Sequence, residues 1–333
     1  MLGGRVANGL PGGPTLRRLA AVVLTGAVVL TGCSTEENPA DPLQIAASLE
    51  PARPAASPEV SGVPAGTVVP VGAARDVVVL DGVAAVAVTD PPSVTFLGTT
   101  PRAVPLPGPA ERLVVVTGAI EAAVPSAGVV VTVRADGSTS SREVAGGPVD
   151  VAVVEGRTLV ARRDARQVDV DGRSVGGFSS PDRVVAAGSH AVVLDRPRSA
   201  LFDLDLSATG PGAGLRAGEG ATNAVVDRFG RVFVVDTRGG ELLAFSTAPL
   251  IMRLRYPVPG APYGLAYDGA RDLLWVTLTD RNEVVGYDVS GAEPVEKHRY
   301  PTVRQPDAVA VDGKTGHVHV VSGTGQGMQV IAP

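Results

Sequence analysis

The sequence predicts an all-β fold built from one short unit repeated along most of the chain. Three observations point there. Glycine and proline number 41 and 28 among 333 residues, too many helix breakers for an all-α chain. Valine-rich runs such as Val77-Val-Val-Leu80 and Leu113-Val-Val-Val116 recur between Gly, Pro and Asp turns, the pattern of short buried strands. A run ending in aspartate also repeats as Thr222-Asn-Ala-Val-Val-Asp227, Tyr263-Gly-Leu-Ala-Tyr-Asp268 and Asp307-Ala-Val-Ala-Val-Asp312. Its aspartates are 41 and 44 residues apart, within the roughly 20–50-residue period of solenoids, propellers and arrays.

The N-terminus has a different character. No acidic residue precedes Glu36, and Arg5, Arg17 and Arg18 lead into an apolar run from Leu19 to Leu30. That run fits a signal-peptide core and falls short of the roughly 20 residues of a spanning helix. Leu30-Thr31-Gly32-Cys33 follows, and Cys33 is the single cysteine, which leaves no disulfide framework or cysteine-rich metal site. These residues resemble the lipobox of bacterial lipoproteins. The resemblance implies a signal peptide over 1–32, lipidation of Cys33 by diacylglycerol and an amide-linked acyl chain such as palmitate, and a lipid-anchored protein on the extracytoplasmic face of the cell membrane. Two or three acyl chains anchor stably where one is marginal. Residues 33–66, rich in Pro and Ala with Pro51, Pro54 and Pro58, read as a flexible tether.

From 67 to 333 the repeat takes over. Val151-Ala-Val-Val154 and Val184-Val-Ala-Ala187 are further unit starts, and with those above they number seven. The units resemble YVTN- and NHL-type β-propeller repeats of bacterial envelope proteins: a Val-Ala-Val-Asp strand, a glycine turn, then a Val/Trp-Val-Thr strand. Seven blades are preferred over six. A propeller gives every blade a neighbour on both faces and leaves only short edges. The last unit ends at Ile331 with three strands, so Thr67-Val-Val-Pro-Val71 is expected to close the ring beside Met328 to Ile331. Pro70 suits such an edge.

Net charge is −5, which argues against nucleic acid as partner. Gly172-Arg-Ser174-Val-Gly176 has the letters of a nucleophile elbow but follows Asp171-Gly172 with no helix after it, so it reads as a hairpin turn. Gly313-Lys314-Thr315 lacks the phosphate-loop spacing and reads as a turn. His317 and His319 share period-two spacing, a weak two-histidine metal signal. His319 aligns with Phe233 and Trp275, positions expected to pack between blades.

The starts of the inner strands lie at the central channel mouth of the propellers this sequence resembles, which gathers Asp150, Asp182, Asn223, Tyr263 and Asp307 as candidate ligand or metal residues. Oxygen donors in that number suit Ca²⁺, and gluconolactonase-type propellers use a central metal on lactones. Two functions are therefore expected in order: a monomeric, non-enzymatic binding or scaffold module for an envelope protein or small ligand, and a calcium-dependent lactonase or esterase. A quinoprotein-type oxidoreductase is disfavoured by the single Trp275.

Overall fold

The computed structural model describes residues 50–333. The signal peptide expected over 1–32, Cys33 and the first part of the tether lie outside the described residues.

The described chain forms seven four-stranded antiparallel sheets. They span 74–105, 112–143, 148–175, 181–216, 221–257 and 262–301, with a seventh from 306–331 completed by Thr67–Val69. In the first six, strand order follows the chain from inner to outer edge. This is a seven-bladed propeller. Every unit start read from the sequence lies in an inner strand, from Ala74–Leu80 in blade 1 to Pro306–Val311 in blade 7. The ring closes as expected: Thr67 faces Val330, Val68 faces Gln329 and Val69 faces Met328, antiparallel.

The core is divided as the blades are. Seven apolar clusters each join residues of two neighbouring blades. Phe233 and Leu274 meet between blades 5 and 6, and Trp275 packs with Val309 and Val320 between blades 6 and 7. A single sheet could not hide both faces, and wedging it between two others removes both from water. The thinnest cluster, Val130, Val151 and Val160, joins blades 2 and 3.

Repeated aspartates do structural work. Asp227 Oδ1 accepts the amides of Phe229 and Arg231, and Asp268 and Asp312 accept those of Ala270 and Lys314. Each carboxylate replaces a backbone acceptor in the turn after the inner strand. Asp236 instead holds the Glu219 and Gly220 amides of the link into its own blade. The Gly-x-Ser-x-Gly letters belong to the hairpin between Gln167–Val170 and Arg173–Val175, with Asp171 and Gly172 both at positive φ, as a two-residue turn requires. Gly313 to Thr315 likewise turn between two strands of blade 7.

One expectation is corrected. Residues 50–66, assigned above to a flexible tether, are docked against blades 4 to 7. Ala52 and Ser57 are buried. Ala55 N–H donates to Thr279 Oγ1 at 3.1 Å, Ser57 N–H to Gln305 Oε1 at 3.0 Å, and Asn282 Nδ2 to Pro58 O at 2.9 Å. Prolines pre-extend this strap, and side chains from the propeller satisfy the backbone groups that have no ladder of their own.

Candidate functional site

In six blades the inner-strand register slips at its start, between Ala74 and Asp76, Pro148 and Asp150, Pro181 and Arg183, Ala221 and Asn223, Pro262 and Leu265, and Pro306 and Ala308. A bulge sets two residues against one and re-aims the side chains beside it. Consecutive residues such as Asp182 and Arg183 therefore line one wall, a cavity of about 400 Å³ at the channel mouth. Four of the five predicted residues, Asp182, Asn223, Tyr263 and Asp307, come together there.

Asp150 does not join them. It lines a second cavity farther along the inner strands with Arg112, and Arg183 borders both. Its carboxylate accepts the Val184 amide of the next blade at 3.0 Å and the Val151 amide at 3.0 Å. Burial pushes Asp150 above the usual carboxylate range even with Arg183 and Arg112 nearby. Asp76 does the same stitching between blades 1 and 2, accepting Leu113 N–H at 2.8 Å, and Asn223 Nδ2 donates to Tyr263 O at 2.7 Å between blades 5 and 6. Asp150 is a rivet of the channel wall.

The sequence reading missed the arginines. Arg75, Arg163, Arg183 and Arg196 all line the mouth. Arg163 and Arg196 stand one residue beyond the second strand of consecutive blades, a recurrence visible once the blades are aligned. Glu111 lies 2.7 Å from Arg75 and 3.1 Å from Arg163, and Arg163 also meets Asp182 at 2.7 Å. Burial raises the Glu111 carboxyl, but the Arg163 and Arg75 guanidiniums outweigh it and hold the group below its ordinary value. Two mouth acids are thus matched by guanidinium before any ligand arrives.

Asp307 is different. Its polar contact is Gln305 Nε2 at 2.8 Å, and burial pushes its carboxyl up to about 6. Gly323 stands against it: a Cβ there would lie 2.0 Å from Asp307 Oδ2. Tyr263, between Asp307 and Asn223 in blade order, is pushed up by burial.

Among the described residues no group of three or more His, Cys, Asp and Glu side chains converges. A calcium ion at the mouth would compete with guanidiniums for Glu111 and Asp182. His317 is exposed and lies before the strand Val318–Ser322, while His319 is buried on it. Burial and the nearby His317 press the His319 imidazole down to about 4, and its Nδ1 has no hydrogen-bond partner.

No family model matches the chain, and no curated protein matches it. Solved structures match its fold. A chain of hydrazine synthase from Kuenenia stuttgartiensis superposes with a TM-score of 0.65 at 15% identity, over 83% of this chain and 99% of that one. Virginiamycin B lyase from Staphylococcus aureus gives 0.65 at 13%, over 78% and 94%. A chain of the mitotic checkpoint complex gives 0.67 at 10%, over 84% and 93%. Three such different proteins share the architecture, so the likeness is one of fold: the seven-bladed propeller of this chain resembles that of virginiamycin B lyase.

Proposed function

We propose that the protein is a lipid-anchored, extracytoplasmic propeller that binds a small ligand at its channel mouth and presents it at the cell envelope. The observation that carries this reading is the mouth cavity: about 400 Å³, walled by charged side chains that the apolar interblade packing does not require. Charged groups held partly out of water at a cost to the fold mark binding sites. The anchor rests on the lipobox-like Leu30 to Cys33. The strap crosses the mouth face, where Pro54 forms part of the cavity wall. Expression of the full chain and of Cys33→Ala, with fatty-acid labelling and membrane partition, tests the placement. Label and membrane association must both vanish in the variant, and a variant that keeps both overturns the anchor.

A second reading is hydrolysis of lactones or esters at the same mouth, with calcium as cofactor. Asp307 favours it, a half-buried acid raised to about 6 in a cavity, the profile of proton-transfer groups; three of the solved structures of the same fold are lyases. The arginine-paired state of Glu111 and Asp182 weighs against metal ligation. Turnover of a lactone panel that calcium chelation abolishes would replace the binding reading with this one.

A further inference from the structure

Charge pairing at the mouth leaves specific groups over. Arg75 and Arg163 have carboxylate partners in Glu111 and Asp182. Arg183 does not: its Nε and Nη2 both donate to the neutral Asn223 Oδ1, at 3.0 and 2.7 Å. Burial and the Arg112 guanidinium act against its charge, while the Asp150 and Asp76 carboxylates act for it through space. Arg196 bonds a backbone carbonyl of the strap, Ala52 O, and its Nε is buried without a partner. Asp307 has the opposite lack: it bonds the Gln305 amide, and Arg75 acts on it only through space. All three line one cavity. Tyr263 lines the same cavity, between Asp307 and Asn223 in blade order.

A guanidinium stays charged at any accessible pH, and a half-buried cation with no carboxylate bonded to it is costly. The cavity wall itself carries four guanidiniums, Arg75, Arg163, Arg183 and Arg196, against the three carboxylates Glu111, Asp182 and Asp307, in a protein of net charge −5. We propose that the mouth takes a small organic carboxylate that also carries a hydroxyl or ammonium donor, with the acid group on Arg183 and Arg196 and the donor on Asp307. This rests on the mouth being a ligand site, as proposed above, and assigns its ligand class. A compact dianion such as phosphate is disfavoured, because Glu111, Asp182 and Asp307 share the walls. A simple cation meets the surplus of guanidinium. The cavity lies at the small end of the range for ligand pockets, about 300–1,000 Å³.

The test is calorimetric titration of the full chain in detergent at neutral pH with L-malate, L-glutamate, succinate, inorganic phosphate and ethanolamine. Malate or glutamate is expected to bind, succinate several-fold more weakly, and phosphate and ethanolamine not measurably. Arg183→Gln should weaken malate about tenfold, one charge-assisted contact. Arg196→Gln, checked for an unchanged melting temperature, provides the same test should Arg183→Gln fail to fold. Asp307→Asn should remove the advantage of malate over succinate and leave succinate where it was. No carboxylate binding up to about 10 mM, the weak end of specific affinity, overturns the ligand class, as does undiminished malate binding in both arginine variants. Binding of ethanolamine or phosphate in their place overturns the class and leaves the binding-module reading standing; silence from all five, with lactone turnover, overturns both.

Discussion

Gln305 Nε2 donates to Asp307 Oδ1 at 2.8 Å, and the same nitrogen donates to Ala55 O at 3.0 Å. One amide therefore ties the inner strand of blade 7 to the strap crossing the mouth. Its Oε1 completes the tie by accepting Ser57 N–H.

The Asp307 carboxyl is held near 6, above its unfolded value of 3.8, by burial. A raised acid favours the fold while protonated, so the protein loses stability as pH rises from about 4 to about 6, by at most about 3 kcal/mol. Asp307→Asn keeps an acceptor for Gln305 and removes the charge. Its melting temperature should exceed the parent's at pH 7.5 and converge with it at pH 4; equal profiles would show that Asp307 is ionised without penalty.

The strap depends on side chains of the propeller. Asn282 donates Nδ2 to Pro58 O and accepts Gln305 N–H through Oδ1, and it is buried. Asn282→Ala leaves two backbone groups unmet, at about 1–3 kcal/mol each if water cannot reach them. Hydrogen exchange should show the Ala55 and Ser57 amides protected in the parent and fast in the variant, with the inner strands of blades 1 to 3 unchanged. Unchanged protection of those two amides refutes this account of the docking.

Much of this was legible in the sequence, and the gaps have physical causes. Blade number, the inner strands and the closing partner of Met328–Ile331 follow from valine runs and turn residues, which are local signals. Asp182, Asn223, Tyr263 and Asp307 were placed because unit starts align by spacing. The arginine lining was not, since it depends on bulges that turn two successive residues, as at Asp182 and Arg183, toward one wall. Asp150 looked like its neighbours in a string of letters. Only its bond to Val184 of the next blade separates a rivet from a ligand residue. The docked strap is legible only through contacts more than 140 residues apart, from Ala52 with Arg196 to Ala55 with Thr279.

Ring closure rests on three residue pairs, Thr67 to Val69 against Val330 to Met328. A chain starting at residue 72 lacks them and bares the Met328–Ile331 edge, a template for association. It also lacks the strap, so the comparison is with a chain starting at 67, which keeps the strand alone. The shorter chain should melt about 5–10 °C lower, a few kcal/mol for a domain of this size, and should aggregate on concentration. Equal melting temperatures would mean that the interblade clusters hold blade 7 without its fourth strand.

His319 occupies the position of Phe233 and Trp275 in the preceding blades, each facing an inner-strand residue: Ala310, Val225 and Ala266. Those two are nearly inaccessible aromatic rings that do not titrate, whereas His319 places an imidazole in the same slot; like Trp275 Nε1, its Nδ1 is buried and unbonded. Burial first and His317 second lower its proton affinity to about 4 from 6.5. A base depressed by folding contributes fully above its unfolded value. That contribution is lost as pH falls from about 6.5 toward 4, up to about 3 kcal/mol. His319→Phe restores the ring its neighbours carry and removes the titration. At pH 7.5 its melting temperature should differ little from the parent's. Near pH 4 the variant should be the more stable protein, because only the parent must then either bury an imidazolium or open the interface between blades 7 and 1. A parent and variant that lose stability in parallel on acidification would show that His319 is reached by water and is not the acid-sensitive seam of the ring.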